Sequence, residues 1–163
     1  MCSLYDISSE KQIERYKSMR EDIHIHASHQ VIREQLRNIQ NNTQWLSKHF
    51  QKYRTEGNFL FFDLELSGHK TKIVLELDQS DPFSITYKKP TKAMNEAIIL
   101  SITWAIHVES TNDTHLTVEL FYQPLNGFLG NLRELVVLRG TRTQALRDSL
   151  WNLKQLIETL SDK

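Results

Sequence analysis

Apolar and polar residues alternate one for one through much of this chain, and the alternation predicts strands. Ile23 and Ile25 interleave with Asp22, His24 and His26, which is the period of a half-buried strand. Over 59–66, Leu60, Phe62, Leu64 and Leu66 share one face while Asp63 and Glu65 take the other. Ile73, Leu75 and Leu77 repeat the pattern over 70–77, as do Phe83, Ile85 and Tyr87 over 83–88. The run 95–109 is long and apolar enough to be helix or strand. Its large residues Ile98, Leu100, Ile102, Trp104, Ile106 and Val108 alternate with smaller or polar ones, and this, with its β-branched content, predicts a long strand. A last strand over 115–122 sets Leu116, Val118, Leu120 and Tyr122 against His115, Thr117 and Glu119. Ser67-Gly68-His69 and the segments 79–82, 89–92 and 110–113 read as turns.

Helical periods flank this train of strands. Ser28 can cap a helix in which Val31, Ile32, Leu36 and Ile39 recur at three and four, stopped by Asn41-Asn42-Thr43. Trp45, Leu46 and Phe50 form a second short amphipathic piece. Beyond Pro124 and Gly127, Leu129, Leu132, Val136, Leu146, Leu150, Leu153, Ile157 and Leu160 keep to one stripe of a long helix, with Arg142 and Asp148 off it. Gly140 interrupts that helix. An interior glycine costs about 1 kcal/mol relative to alanine, so a kink or a packing reason is expected. Residues 1–20 read as an N-terminal extension with a short helix, and 21–163 as one domain.

The order strand, helical pair, five strands, long helix predicts an α+β fold. Strands joined by short turns pair as antiparallel neighbours. A sheet with one apolar face must cover it, and the only large element left is the C-terminal helix. A curved antiparallel sheet of about six strands should therefore wrap around that helix. Space that side chains leave between them is a natural ligand cavity.

Composition narrows the function classes. Twenty Lys and Arg balance twenty Asp and Glu over 163 residues, which argues against a general electrostatic nucleic-acid binder. No stretch approaches the ~20 apolar residues of a bilayer span, so stable membrane insertion is not expected. The one cysteine, Cys2, has no internal partner and no apolar leader is visible, so the expected location is cytoplasmic. The seven histidines include no HExxH and no paired cysteines, so no metal or cofactor is assigned.

Three stretches carry a family resemblance. Ile23-His24-Ile25-His26-Ala27-Ser28 leads into Val31, with Trp45 downstream. Leu116-Thr117-Val118-Glu119-Leu120-Phe121-Tyr122-Gln123-Pro124 is followed by Gly127-Phe128-Leu129-Gly130. Ser149-Leu150-Trp151-Asn152-Leu153-Lys154-Gln155-Leu156-Ile157-Glu158 closes the pattern. In this order the chain resembles the START-like (SRPBCC) helix-grip superfamily, most closely its polyketide cyclase/dehydrase-like branch, over about residues 21–160. The resemblance implies a hydrophobic cavity between sheet and helix. It leaves activity open, because the superfamily includes lipid carriers, aromatase/cyclases and protein cofactors.

Candidate residues follow from this geometry. Leu64, Leu75, Ile85, Tyr87, Leu100, Trp104, Val118, Leu120 and Val136 should point between sheet and helix, as core packing or as cavity wall. Tyr87 and Trp104 each bring a polar atom that needs a partner when buried. Gly140 would open space against the sheet, with Arg139 or Thr143 offering a hydrogen bond to a bound carboxylate or carbonyl. His24 and His26 should point out of the grip, near His115 and Glu119, a set able to hold zinc or nickel; solvated strand histidines are the simpler reading. Phe59, Phe61 and Phe121 take the outward parity and should pack under the helices. No interior acid–base pair or triad spacing stands out, so no catalytic residue is assigned. The leading expectation is a non-enzymatic domain that binds or carries a hydrophobic or amphipathic small molecule, a lipid or a polyketide-like chain. An aromatase/cyclase acting in the same cavity and a non-catalytic protein-interaction module are the alternatives. Ligand identity and oligomeric state stay open.

Overall fold

The alternating segments become the strands of a single sheet. The computed structural model describes residues 16–78, 81–90, 99–124, 128–133 and 137–161. In chain order these form β1 (Lys17–Ile25), α1 (His29–Arg37), α2 (Ile39–Trp45), β2 (Phe50–Glu56), β3 (Phe59–Leu66), β4 (His69–Asp78), β5 (Ser84–Lys88), β6 (Ile99–Ser110), β7 (Asp113–Tyr122), α3 (Phe128–Arg133) and α4 (Arg139–Ser161). Of the N-terminal extension expected to hold a short helix, residues 1–15 lie outside the described residues, as does Val136.

All strand pairs are antiparallel, in the order β1-β7-β6-β5-β4-β3-β2. The sequence predicts six strands and the sheet has seven. The seventh, β2, begins at Phe50, where the sequence predicts the end of a second amphipathic piece. Its alternation is broken by a register shift between Gln51 and Arg54, with Lys52 at a left-handed φ of 51°. A bulge on an edge strand blurs the two-residue period and discourages edge-to-edge pairing. Gly57, at φ 59°, turns the chain into β3. β1 starts at Lys17, ahead of the alternation that announces it, and places Met19 against Leu120.

One face of the sheet is apolar and faces α4. Leu60, Phe62, Leu64, Ile73, Leu75, Ile85, Tyr87, Ile102, Trp104, Ile106, Leu116, Val118, Leu120 and Tyr122 are all buried in one core. On α4 the buried residues are Arg142, Ala145, Leu146, Ser149, Leu150, Leu153 and Ile157, the stripe of a helix packed on a sheet. That stripe corrects the predicted one. Arg142 lies on it, 2% exposed, with its guanidinium 4.3 Å from the centre of the Tyr122 ring. Gly140 is exposed, because six residues at 100° each set it about 120° around the helix from Leu146. Leu129, Leu132 and Leu160 are exposed as well. A π-helical turn at Val137 and Leu138 precedes α4 and breaks the phase there.

Polar contacts hold α4 along the β1 edge. Arg147 Nε donates to Glu21 at 2.9 Å, Lys154 Nζ to the His24 carbonyl at 2.9 Å, and the His26 backbone N–H to Glu158 at 3.0 Å. Buried Ser149 accepts the Ser47 backbone N–H at 2.9 Å and itself donates to the Ala145 carbonyl. With α4 near one edge, α1 and α2 cover the rest of the apolar face through Ile32, Leu36 and Trp45. Trp45 meets Trp104 edge-on, ring centres 5.3 Å apart. Among the described residues no helix is long and apolar enough to cross a membrane.

Leu153 is fully buried and Leu160 half exposed on the same helix. Leu153→Ala should cost about 2–5 kcal/mol in urea unfolding, whereas Leu160→Ala should stay within about 0.5 kcal/mol. Equal effects would contradict the observed phase of α4.

Candidate functional site

The gripping helix does not reach the whole apolar face, and a cleft opens where it stops. Leu77, Ile85 and Tyr87 form the sheet side of this cleft, Arg33 and Arg37 of α1 form its roof, and Asp81 and Ser84 sit at its rim. Its volume is about 350 Å³, within the range of small-molecule sites of roughly 300–1,000 Å³. Register explains the wall. Leu77 stands opposite Tyr87, and Tyr87 and Ile85 stand opposite Ile102 and Trp104, so all share the inner face.

The roof is set by helical spacing. Arg33 and Arg37 are one turn apart and flank the buried residues Ile32 and Leu36. Neither makes an ion pair among the described residues, and Arg33 Nε is shut off from solvent with no hydrogen-bond partner among them. Asp81 does not neutralise them at close range. One of its carboxylate oxygens accepts the Phe83 backbone N–H at 2.9 Å and the other the Ser84 hydroxyl at 3.1 Å. The site therefore joins an apolar wall to two guanidinium groups, one part-buried and one exposed, that make no ion pair among the described residues.

Neutral polar groups are buried in the cleft wall and elsewhere in the core. Burial pushes the Tyr87 phenol up from 10.0 to about 12, and it raises Tyr53 too. Tyr53, on β2, stacks on Phe62 with ring centres 5.9 Å apart. The Asn42 amide lies 3.4 Å from the Tyr53 hydroxyl. Turned so that its NH₂ donates to the carbonyls of Gln35 and Asn38, its oxygen is free to accept the Tyr53 proton. Trp45 Nε1 is buried without a hydrogen-bond partner among the described residues.

The predicted residues divide sharply. Leu64, Leu75, Ile85, Tyr87, Trp104, Val118 and Leu120 are buried on the inner face, and of these Ile85 and Tyr87 line the cleft. Leu100 does not join them. A bulge between Ile99 and Ser101 puts Ile99 opposite Tyr122, fully buried, and leaves Leu100 half-buried. Arg139 and Gly140 are exposed, and a Cβ added at Gly140 would meet nothing within 4 Å. Half-buried Thr143 donates to the Arg139 carbonyl at 3.0 Å and approaches the Met19 sulfur at 3.4 Å. The buried polar residue of this turn is Arg142, whose guanidinium lies over the Tyr122 ring and not in the cleft. Arg33, Arg37 and Leu77 line the cleft and were not among the expected site residues. The available signal is an arginine pair at i, i+4 beside a buried stripe. Phe59 and Phe121 stay exposed on the outer face, and Arg54 sits over the half-buried Phe61 ring at 4.5 Å.

By sequence, no family model and no curated protein matches the chain. Solved structures do match in shape. A protein from Thermus thermophilus superposes with a TM-score of 0.72 at 16% identity, covering 89% of this chain and 99% of its own. The Zhui aromatase/cyclase of a Streptomyces species gives 0.68 at 10% identity, over 88% of this chain and 94% of its own. A START superfamily protein from Mycobacterium smegmatis gives 0.64 at 15% identity, over 88% and 98%.

The buried phenol yields a pH test. Tyr87 stays protonated in the folded chain where an unfolded tyrosine ionises, so its contribution is complete below pH 10 and is lost as pH rises toward 12. Urea unfolding across that window should show stability falling, with the slope of Tyr87→Phe shallower by up to about 1.4 kcal/mol per pH unit. An unchanged slope would place the phenol in contact with water.

Proposed function

We propose that this chain, which has the START-like helix-grip fold, binds an amphipathic small molecule with an apolar body and an anionic head. The observation that carries this reading is the cleft under α1. Leu77 and Ile85 supply apolar wall, and Arg33 and Arg37 supply positive charge that no described side chain neutralises. Burial contributes roughly 25 cal/mol per Å² of apolar surface removed from water. A carboxylate or similar head would fix orientation through charge-assisted hydrogen bonds, the stronger kind in a site partly closed to solvent. Phe83 lies half-exposed beside the rim, its ring 6.2 Å from that of His29, and offers apolar surface where the ligand body would enter.

Transport or storage fits this chemistry better than turnover. An aromatase/cyclase function, the activity named for the Streptomyces structure, needs a group that takes up and returns a proton near neutral pH. At the cleft, Tyr87 titrates far above neutrality and Asp81 is engaged by its own turn. The same inner face, from Leu64 and Leu75 to Trp104, Val118 and Leu120, would accommodate the remainder of a longer ligand by side-chain rearrangement.

Calorimetry with dodecanoate and dodecanol tests the reading. Dodecanoate should bind more tightly than the alcohol. Exchanging both Arg33 and Arg37 for Gln should weaken dodecanoate by about tenfold or more and leave dodecanol within about twofold. Ile85→Trp should weaken both by filling the wall. Binding of neither molecule, or an equal loss for both in the arginine variant, would contradict the proposal.

A further inference from the structure

A second chemistry-bearing cluster lies outside the cleft, at the end of the sheet where β1, β7 and β6 meet. Register brings it together. His24 pairs across strands with His115, and His115 with His107, so three imidazoles from three strands share the outer face. The carboxylates beside them are Asp113, Glu109 and Asp22. Glu119, expected here from the sequence, pairs instead with Arg20 further along β1. A second register irregularity, between Val108 and Ser110, leaves Glu109 as the extra residue of a bulge next to the turn. Bulges re-aim side chains in this way.

We propose that His24, His26 and Asp113 form a binding site for a divalent transition-metal ion of the zinc class. Asp113 Oδ1 lies 2.8 Å from His26 Nδ1 and 3.3 Å from His24 Nε2, and one ligand atom from each residue falls within 4.8 Å of the others. A tetrahedral zinc with bonds near 2.0–2.1 Å holds its ligands roughly 3.3 Å apart, so small side-chain rotations suffice. Two imidazoles and one carboxylate suit zinc and its neighbours in the first transition row, with water completing the shell.

The surroundings select a metal-ready state of His24. Its other ring nitrogen, Nδ1, lies 2.8 Å from Glu109 Oε2. Donation of Nδ1–H to that carboxylate leaves the Nε2 lone pair directed at the site, the support a metal-bound histidine ordinarily has. Asp113 is oriented from its far side, where Oδ2 accepts the Ser110 hydroxyl at 2.8 Å. His115 is occupied separately, its Nε2 2.9 Å from Asp22. The position of His26 is fixed too, by its backbone N–H on Glu158 and by the Thr114 hydroxyl on the next carbonyl, that of Ala27. All three ligands are reachable from solvent, so an ion needs no opening of the fold. Bound metal would clip the end of β1 to the β6–β7 turn, next to the start of α1.

Zinc titrated into the full chain by calorimetry tests this. The expected result is one ion per chain with micromolar or tighter affinity. His26→Asn and Asp113→Asn should each weaken binding at least tenfold, and Glu109→Gln by about 10–100-fold through the orientation of His24. In NMR spectra of the unaltered chain, zinc should shift the ring signals of His24 and His26 and leave those of His49, which sits on the Glu65 carbonyl at 2.8 Å. Zinc should also raise the melting temperature of the chain but not that of the His26→Asn/Asp113→Asn double variant. Absence of stoichiometric binding overturns the proposal, as does binding that survives the double variant or leaves the His24 and His26 signals unmoved.

Discussion

One helix must cover one apolar sheet face, and every other feature of this molecule follows from how incompletely it does so. The phase of α4 is set by Leu146, Leu150, Leu153 and Ile157, all buried. Its lateral position is set by polar ties to the β1 edge, from Arg147 to Glu21 and from Lys154 to the His24 carbonyl. A helix is about 10–12 Å across with its side chains, whereas neighbouring strands add nearly 5 Å each. A helix held near β1 therefore leaves β4 and β5 to be covered by something else. That cover is α1 and α2, short elements whose apolar residues Ile32, Leu36 and Trp45 reach the core while Arg33 and Arg37 do not.

The two candidate sites are consequences of this asymmetry. Where α1 stands in for the gripping helix, arginines replace leucines above an apolar wall, and a cleft results. Where α4 is tied to β1, the strand end is held against the β6–β7 turn, and histidines and carboxylates collect on the solvent side of the same strands. The balanced net charge of the chain conceals both. Positive charge that no described side chain neutralises sits at the cleft, while imidazole–carboxylate pairs gather at the end of the sheet where β1, β6 and β7 meet.

Much of the fold was legible in the sequence because strand parity is a strict code. Leu116, Val118 and Leu120, or Ile73 and Leu75, cannot trade faces with their neighbours without exposing the core. Legibility failed wherever the period was interrupted. The bulge at Leu100 passes the buried role to Ile99, the bulge after Gln51 hid β2 altogether, and a π turn at Val137 and Leu138 precedes α4, whose buried phase begins only at Arg142. Arg142 was misread for another reason. A charged residue on an apolar stripe is discounted by type, although its guanidinium can lie over an aromatic ring, as here over Tyr122. The cleft itself was only half visible, through Ile85 and Tyr87, because its arginines come from a helix whose position over β5 is a tertiary fact. The histidine cluster was half visible in the same sense. His24 and His115 followed from adjacent first and last strands, whereas Glu109 and Asp113 depended on a turn.

In the proposed mode of binding, ligand enters between α1 and the β4–β5 wall. Methyl- and arginine-labelled protein titrated with a long-chain carboxylate, followed by NMR, tests it most directly. Shifts are expected at the methyls of Leu77 and Ile85 and at the guanidinium groups of Arg33 and Arg37, fading toward Leu116 and Leu153. Shifts centred on outer-face residues such as Val74 and Ala105, or no saturable shifts at all, would contradict it.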